Sequence, residues 1–213
     1  MINTQSGGGE LRRGWFIAFE GGEGCGKSTQ SALLANRIDG VLTREPGGTD
    51  IGIRLRTLLL DPATEQLAPR AEALLMAADR AQHMAQVVAP ALAAGRMVVS
   101  DRSAFSSLAY QGFGRGMSLD EIRSISDWAA DGIWPDVVLL LDVPAAKSAE
   151  RLGTGLDRME RLGDEFHERV RRGFHSMADA DPDRWVVIDG SGSKSAVESS
   201  VRAALRERLQ LPL

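Results

Sequence analysis

A single cysteine, Cys25, occurs in the 213 residues. An intramolecular disulfide framework is therefore excluded, and a reducing compartment is implied. No apolar run approaches the roughly 18 residues needed to span a bilayer. The opening stretch MINTQSGGGELRRGW also lacks the apolar centre of a signal peptide. Residues 1–13 are accordingly expected to be a flexible leader and 14–213 one domain, with the cytoplasm as compartment and no membrane partner. Basic excess is missing too: 25 Lys and Arg stand against 29 Asp and Glu, a net charge of −4. That balance argues against a general nucleic-acid surface, so an anionic substrate must be held by a few basic residues gathered at one site. A guanine-reading N/T-K-x-D stretch is absent, which argues against a GTPase-like switch. The three histidines, His83, His167 and His175, show no metal-ligand spacing and read as partly exposed helix residues. Trp15, Trp128, Trp134 and Trp185 read as core or edge packing.

What is present is alternation. Short apolar segments end in polar clusters at 15–20, 40–46, 97–101, 136–143 and 185–189. Segments of helical spacing lie between them, at 28–38, 49–60, 69–94, 118–130 and 193–209. This pattern predicts an α/β fold, a five-stranded parallel sheet flanked by helices in three layers. DVVLLLDV, the most apolar strand, is expected at its centre. Ligands in such sheets bind beyond the carboxyl ends of the strands, which is where the polar clusters begin.

GGEGCGKST (Gly21, Gly22, Glu23, Gly24, Cys25, Gly26, Lys27, Ser28, Thr29) fits G-x-x-x-x-G-K-S/T and lies between a predicted strand and a predicted helix. Glycines let backbone N–H groups turn inward on a phosphate, and the helix N-terminus adds partial positive charge. Lys27 can reach the β- and γ-phosphates of ATP, and Ser28 can ligate Mg²⁺. These features define a three-layer P-loop NTPase fold that binds a nucleoside triphosphate, without saying where the γ-phosphoryl group goes. Cys25 is read as a small packing residue of the loop.

Three further segments narrow the class: REPGG at 44–48, DRSAFSSLAYQGFGRG at 101–116 and LDRMER at 156–161. With the phosphate loop they resemble the bacterial thymidylate kinases over about 15–189. The resemblance implies transfer of the ATP γ-phosphoryl group to dTMP in support of dTTP synthesis; a kinase of another nucleoside monophosphate is the alternative. Arg44 and Arg102 are expected to clamp the acceptor phosphate, with Pro46 beside them. Asp101, at a strand end facing the loop, would hold Mg²⁺ directly or through water, or cap the helix beginning near Ser103. By resemblance, Glu23 accepts the 3′-hydroxyl of the acceptor sugar and Arg80 hydrogen-bonds the thymine. Ser106 or Ser107 reads the polar edge of the base, and Tyr110 crowds the 2′ side with Gln111 nearby. Met76 stands where the family commonly has a Phe stacked on the thymine.

The run RLGTGLDRMERLGD, 151–164, combines glycines with Arg151, Arg158 and Arg161 and is read as a short basic lid. Because the phosphate loop carries no arginine, catalytic charge is expected from this lid. Arg158 is the first choice for the transferring group, Arg161 the second, and Arg151 is placed against adenine. The wide apolar stripe of the 69–94 helix, with the resemblance, suggests a homodimer.

Overall fold

The computed structural model describes residues 13–64, 66–151 and 155–210. The five expected strands form one parallel sheet: β1 (Phe16–Glu20), β2 (Val41–Arg44), β3 (Val98–Asp101), β4 (Val137–Asp142) and β5 (Trp185–Asp189), in the order β2-β3-β1-β4-β5. β1 holds the middle, paired with β3 on one side and β4 on the other. β4, expected at the centre, lies one place off it. Apolarity reports burial on both faces, which β1 and β4 share, and not rank within the sheet.

Nine helices are described: α1 (Lys27–Arg37), α2 (Asp50–Leu60), α3 (Pro69–His83), α4 (Ala89–Ala93), α5 (Ala104–Ser107), α6 (Leu119–Ala129), α7 (Ala145–Arg151), α8 (Asp164–Ala180) and α9 (Lys194–Leu209). The long helix expected at 69–94 is α3 and α4 joined by π-helical turns at Met84–Val88, and a second π-helical stretch, Leu108–Gly114, continues α5. Helix starts follow local sequence. Thr49 Oγ1 accepts from Gly52 N at 2.9 Å and Ser193 Oγ from Ala196 N at 3.2 Å, satisfying amides that the first turn leaves free.

Alternation along the strands builds the layers. Ile17, Phe19, Leu139 and Leu141 pack with Leu34 of α1 and Val201 and Leu205 of α9. Val138 and Leu140 face the other way, against Leu108, Phe166 and Phe174. Each such side chain contributes about 1.5–3 kcal/mol on burial. Trp185 joins this core, but Trp128 is 83 % exposed. The buried stripe of α6 runs through Ile122, Ser126 and Ala129, and Trp128 lies off it. His83 reverses its expectation as well: it is fully buried, on the inward side of α3 with Ala73, Ala77 and Arg80.

Of the expected leader, residues 1–12 lie outside the described residues, while Arg13 pairs with Asp136 at 2.5 Å. Of the expected lid, 152–154 likewise lie outside them. Among the described residues no helix is long and apolar enough to cross a membrane.

Leu139, fully buried between β1 and β5, should be costly to truncate. Leu139→Ala is expected to lose about 2–5 kcal/mol of stability, read from the urea unfolding midpoint.

Candidate active site

The loop between β1 and α1 turns on glycines whose backbone excludes other residues. Gly21 has φ 139°, and a Cβ there would stand 2.5 Å from the Leu141 carbonyl oxygen. Gly26 enters α1 at φ 97°. Lys27 opens the helix, buried, with its ammonium folded back on the loop: Nζ donates to Gly22 O at 2.6 Å and Gly21 O at 3.2 Å. Ser28 Oγ donates to Asp101 Oδ2 at 2.5 Å, joining the helix start to the end of β3. An acid and a hydroxyl so placed form a hard-oxygen pair of the kind that suits a magnesium ion.

Glu23 crosses from this loop toward β3. Its Oε1 accepts from Arg102 Nη2 at 2.5 Å and from Tyr110 Oη at 2.7 Å. Arg102 also donates to Gly21 O and Ser106 Oγ, each at 3.2 Å, and its guanidinium lies 4.9 Å from the centre of the Tyr110 ring. Its backbone is left-handed, φ 72°, a conformation that costs a side-chain-bearing residue and persists where surroundings enforce it. Here Arg102 N donates to Phe19 O and Ser100 Oγ to Arg102 O.

Beneath this cluster lies Glu20, which sequence reasoning missed. It is fully buried and accepts from Ser103 N, Ser103 Oγ and Ser106 Oγ at 2.6–2.9 Å. Burial pushes its pKa up to about 6 despite the nearby Arg102 charge and the two hydroxyls. Glu23 goes the other way. Burial raises it, but Arg102, Lys27 and the Tyr110 hydroxyl outweigh that and hold it down at about 2. One carboxyl of the pair is thus a firm anion and the other is poised near neutrality.

A narrow cavity of about 70 Å³ opens behind Arg102, lined by Pro46, Met76, Arg80, Ser106, Ser107, Tyr110 and Gln111 among others. It brings together every expected base- or sugar-contacting residue. Some of their polar atoms already have partners. The Ser106 hydroxyl donates to Glu20, Ser107 Oγ accepts from Arg80 Nη2 at 2.9 Å, and Gln111 Nε2 donates to Glu72 at 2.9 Å. A second basin of about 330 Å³ lies over the phosphate loop, with Lys27, Ser28, Thr29, Asp101 and Arg151 in its wall. The two share Glu23, Glu45, Arg56, Arg102 and Asp157. Arg44 lines only the second and sits 3.7 Å from Asp101.

Arg56 was not singled out by the sequence. On α2, one turn after Gly52, it donates Nη1 to Pro46 O at 3.1 Å, and its stem packs over Gly47. Burial and then the charges of Arg44 and Arg102 lower its pKa. Cations that strain one another in this way mark a place where an anion is welcome. Nothing in the sequence sets it apart from Arg54.

The lid arginines are the main departure. Arg158 is buried, with Nε on Leu59 O at 2.7 Å and Nη2 2.7 Å from Glu72 Oε2, an ion pair without hydrogen-bond alignment. Arg115 Nη2 reaches the same carboxylate at 2.9 Å. Burial would raise Glu72, but hydrogen bonds from Arg115 and Gln111 keep it below the usual range. A buried carboxylate of that strength draws in the nearest cation, and that is Arg158. Arg161 is exposed and bonds Leu156 O. Neither lines the basin over the phosphate loop; Arg151 does, donating to Gly190 O at 3.1 Å and Gly24 O at 3.4 Å.

A family model described as thymidylate kinase matches residues 19–201. The thymidylate kinase of Leifsonia xyli is 47 % identical over 206 residues, covering 93 % of this chain and 97 % of that protein. That of Synechococcus sp. is 48 % identical over 201 residues, covering 91 % and 96 %. The crystal structure of thymidylate kinase from Ehrlichia chaffeensis superposes with a TM-score of 0.77 at 32 % identity, over 91 % of this chain and 99 % of that one.

The two acids make opposite contributions to stability against pH. Glu23, lowered from 4.5 to about 2, stabilises fully above 4.5 and loses that contribution as pH falls toward 2. Glu20, raised from 4.5 to about 6, contributes fully below 4.5 and loses it as pH rises through 6. Glu20→Gln is therefore expected to flatten the stability profile between pH 4.5 and 6. Glu23→Gln should flatten it below 4.5, both read from urea midpoints across pH.

Proposed function

The chain belongs to the thymidylate kinase family, and from that premise we propose how its residues divide the transfer of the ATP γ-phosphoryl group to dTMP, giving dTDP and ADP. The observation that carries this division is the junction of the two cavities, where Arg56 and Arg102 stand with Glu23, Glu45 and Asp157. Donor phosphates lie along the phosphate loop, on the inward amides, the α1 N-terminus and Lys27. Arg102, Arg56 and Arg44 receive the acceptor phosphate, whose charge relieves their mutual repulsion.

In this division Glu23 accepts the 3′-hydroxyl of the acceptor sugar. As a firm anion it can only accept, and it repels a 3′-phosphate. Tyr110, hydrogen-bonded to that carboxylate, crowds the 2′ side and favours deoxyribose. Arg80 and Ser107 read the thymine edge. Met76 packs its thioether on the ring, a contact worth about 0.3–1.5 kcal/mol and less rigid than a stacked Phe.

Magnesium fits the oxygen donors present: Ser28 and Asp101 would hold it, and bound there it would neutralise charge on the donor's phosphate oxygens. The attacking oxygen already belongs to a phosphate, so no strong general base is needed, and positioning with charge supplies most of the acceleration. Arg151 at the loop is the lid arginine nearest the reaction. Arg158 must leave Glu72 before it can take part.

A homodimer in the cytoplasm completes the proposal. Exposed Leu74 on α3, with Ile53 and Trp128 on α2 and α6, which both pack against α3, gives a second copy apolar surface to cover. No nucleic-acid partner is proposed.

The deciding experiment is ADP release with dTMP, dUMP, UMP, dCMP, AMP and GMP as acceptors. dTMP is expected to have the highest kcat/KM, and a better acceptor among the others would overturn the assignment. Arg102→Ala should then lower kcat/KM for dTMP by about 10²–10³. Chelating divalent cations with EDTA should stop turnover, and added Mg²⁺ should restore it.

A further inference from the structure

His83 closes α3 and is wholly buried; it lines neither cavity itself, but its partner Glu45 lines both. Both ring nitrogens are engaged. Nδ1 stands 3.0 Å from Glu45 Oε1 and Nε2 stands 2.6 Å from Thr43 Oγ1 of β2. The ring is also packed so tightly on the Pro-Gly-Gly turn that a Cβ on Gly48 would lie 2.5 Å from its Cδ2.

The neighbouring groups fix the direction of these bonds. Burial acts to raise Glu45, but the Arg80 charge and the His83 hydrogen bond keep it below the usual carboxylate range, so it is ionised and can only accept. Nδ1 therefore carries a proton and donates it to Glu45. In the neutral ring Nε2 then accepts from the Thr43 hydroxyl. The second oxygen of Glu45 takes Arg80 Nε at 3.0 Å, and the far side of that guanidinium reaches Ser107 at 2.9 Å and Ser126 at 3.3 Å. A relay of buried bonds thus runs from β2 through the ring and the carboxylate to the arginine in the cavity wall.

We propose that His83 is a positioning residue for acceptor recognition: by donating Nδ1–H to Glu45 it fixes the carboxylate, and through it the plane in which Arg80 presents its remaining N–H groups to the base. This rests on Arg80 reading the base, as assigned above. The bland alternative is that His83 only helps β2 and α3 pack. The alternatives differ in what they move. A packing residue changes stability, whereas a positioning residue changes KM for the acceptor and leaves KM for ATP alone.

The test compares two polar replacements. His83→Asn puts its amide nitrogen near the place of Nδ1 and can still donate to Glu45. His83→Gln reaches toward Thr43 and cannot replace Nδ1. Steady-state kinetics with dTMP and ATP, with thermal unfolding in parallel, are run on both, on His83→Ala and on Arg80→Ala. His83→Gln and His83→Ala are expected to raise KM for dTMP about tenfold, the loss of roughly one buried hydrogen bond. kcat should stay within about threefold and KM for ATP should not move, while His83→Asn recovers most of the loss. Equal KM for dTMP in the Asn and Gln variants overturns the proposal, and that pair decides the matter if the Ala variant does not fold. A fall in unfolding temperature with KM unchanged in all three His83 variants overturns it too. Arg80→Ala separates the two levels. If it raises KM for dTMP while the His83 variants do not, only the relay fails; if it leaves KM unchanged, the assignment of Arg80 fails and the relay with it.

Discussion

The contact between Glu23 and Arg102 is the constraint on which the site depends. It joins the phosphate loop to the residue that follows β3, 79 positions along the chain. Both groups are largely stripped of water, so either one alone would be an uncompensated charge inside the protein. The sheet order makes the contact possible, because β1 and β3 are neighbours and their loops leave the same edge side by side. The left-handed backbone of Arg102 follows from the same arrangement. Its amide donates to Phe19 of β1 and its carbonyl accepts from Ser100, and these two bonds hold the conformation in place.

This pairing also reconciles an acidic protein with polyanionic substrates. Net charge sums the whole chain, and exposed charges further apart than about 10 Å are largely screened from one another. Arg56 and Arg102 stand together where the two cavities meet, with Arg44 in the wall of the second. Their repulsion is tempered by Glu23 and Asp101 and leaves room for an incoming phosphate. Overall charge therefore says little about what the site will bind.

Features whose causes lie within a few residues were legible in the sequence. The phosphate loop needs only its own glycines and the flanking strand and helix. The five strands need only their alternation, and Arg102 was marked by the strand-terminal acid before it. Features set by distant partners were not legible. In IGIRLRTLLL, Arg54 and Arg56 look alike, and only the packing of α2 on the Pro-Gly-Gly turn leaves Arg54 exposed and brings Arg56 inward. Arg158 looked free because nothing in the sequence says that Glu72, an acid in the first turn of a helix, is wholly buried. His83 was misjudged for the same reason: its partners, Thr43 and Glu45, are 40 and 38 positions away.

Helix α3 has a consequence of another kind. Glu72, Met76, Arg80 and His83 lie along one of its sides, so a single rod meets the lid arginine at one end and β2 at the other, about 16 Å apart. Inserting one residue midway would swing everything beyond it by about 100° and break several buried pairs at once. The row can therefore evolve only by exchange and not by change of length. Met76, the apolar member set between charged ones, is the place where an exchange unpairs nothing, so drift in the choice of base should begin there.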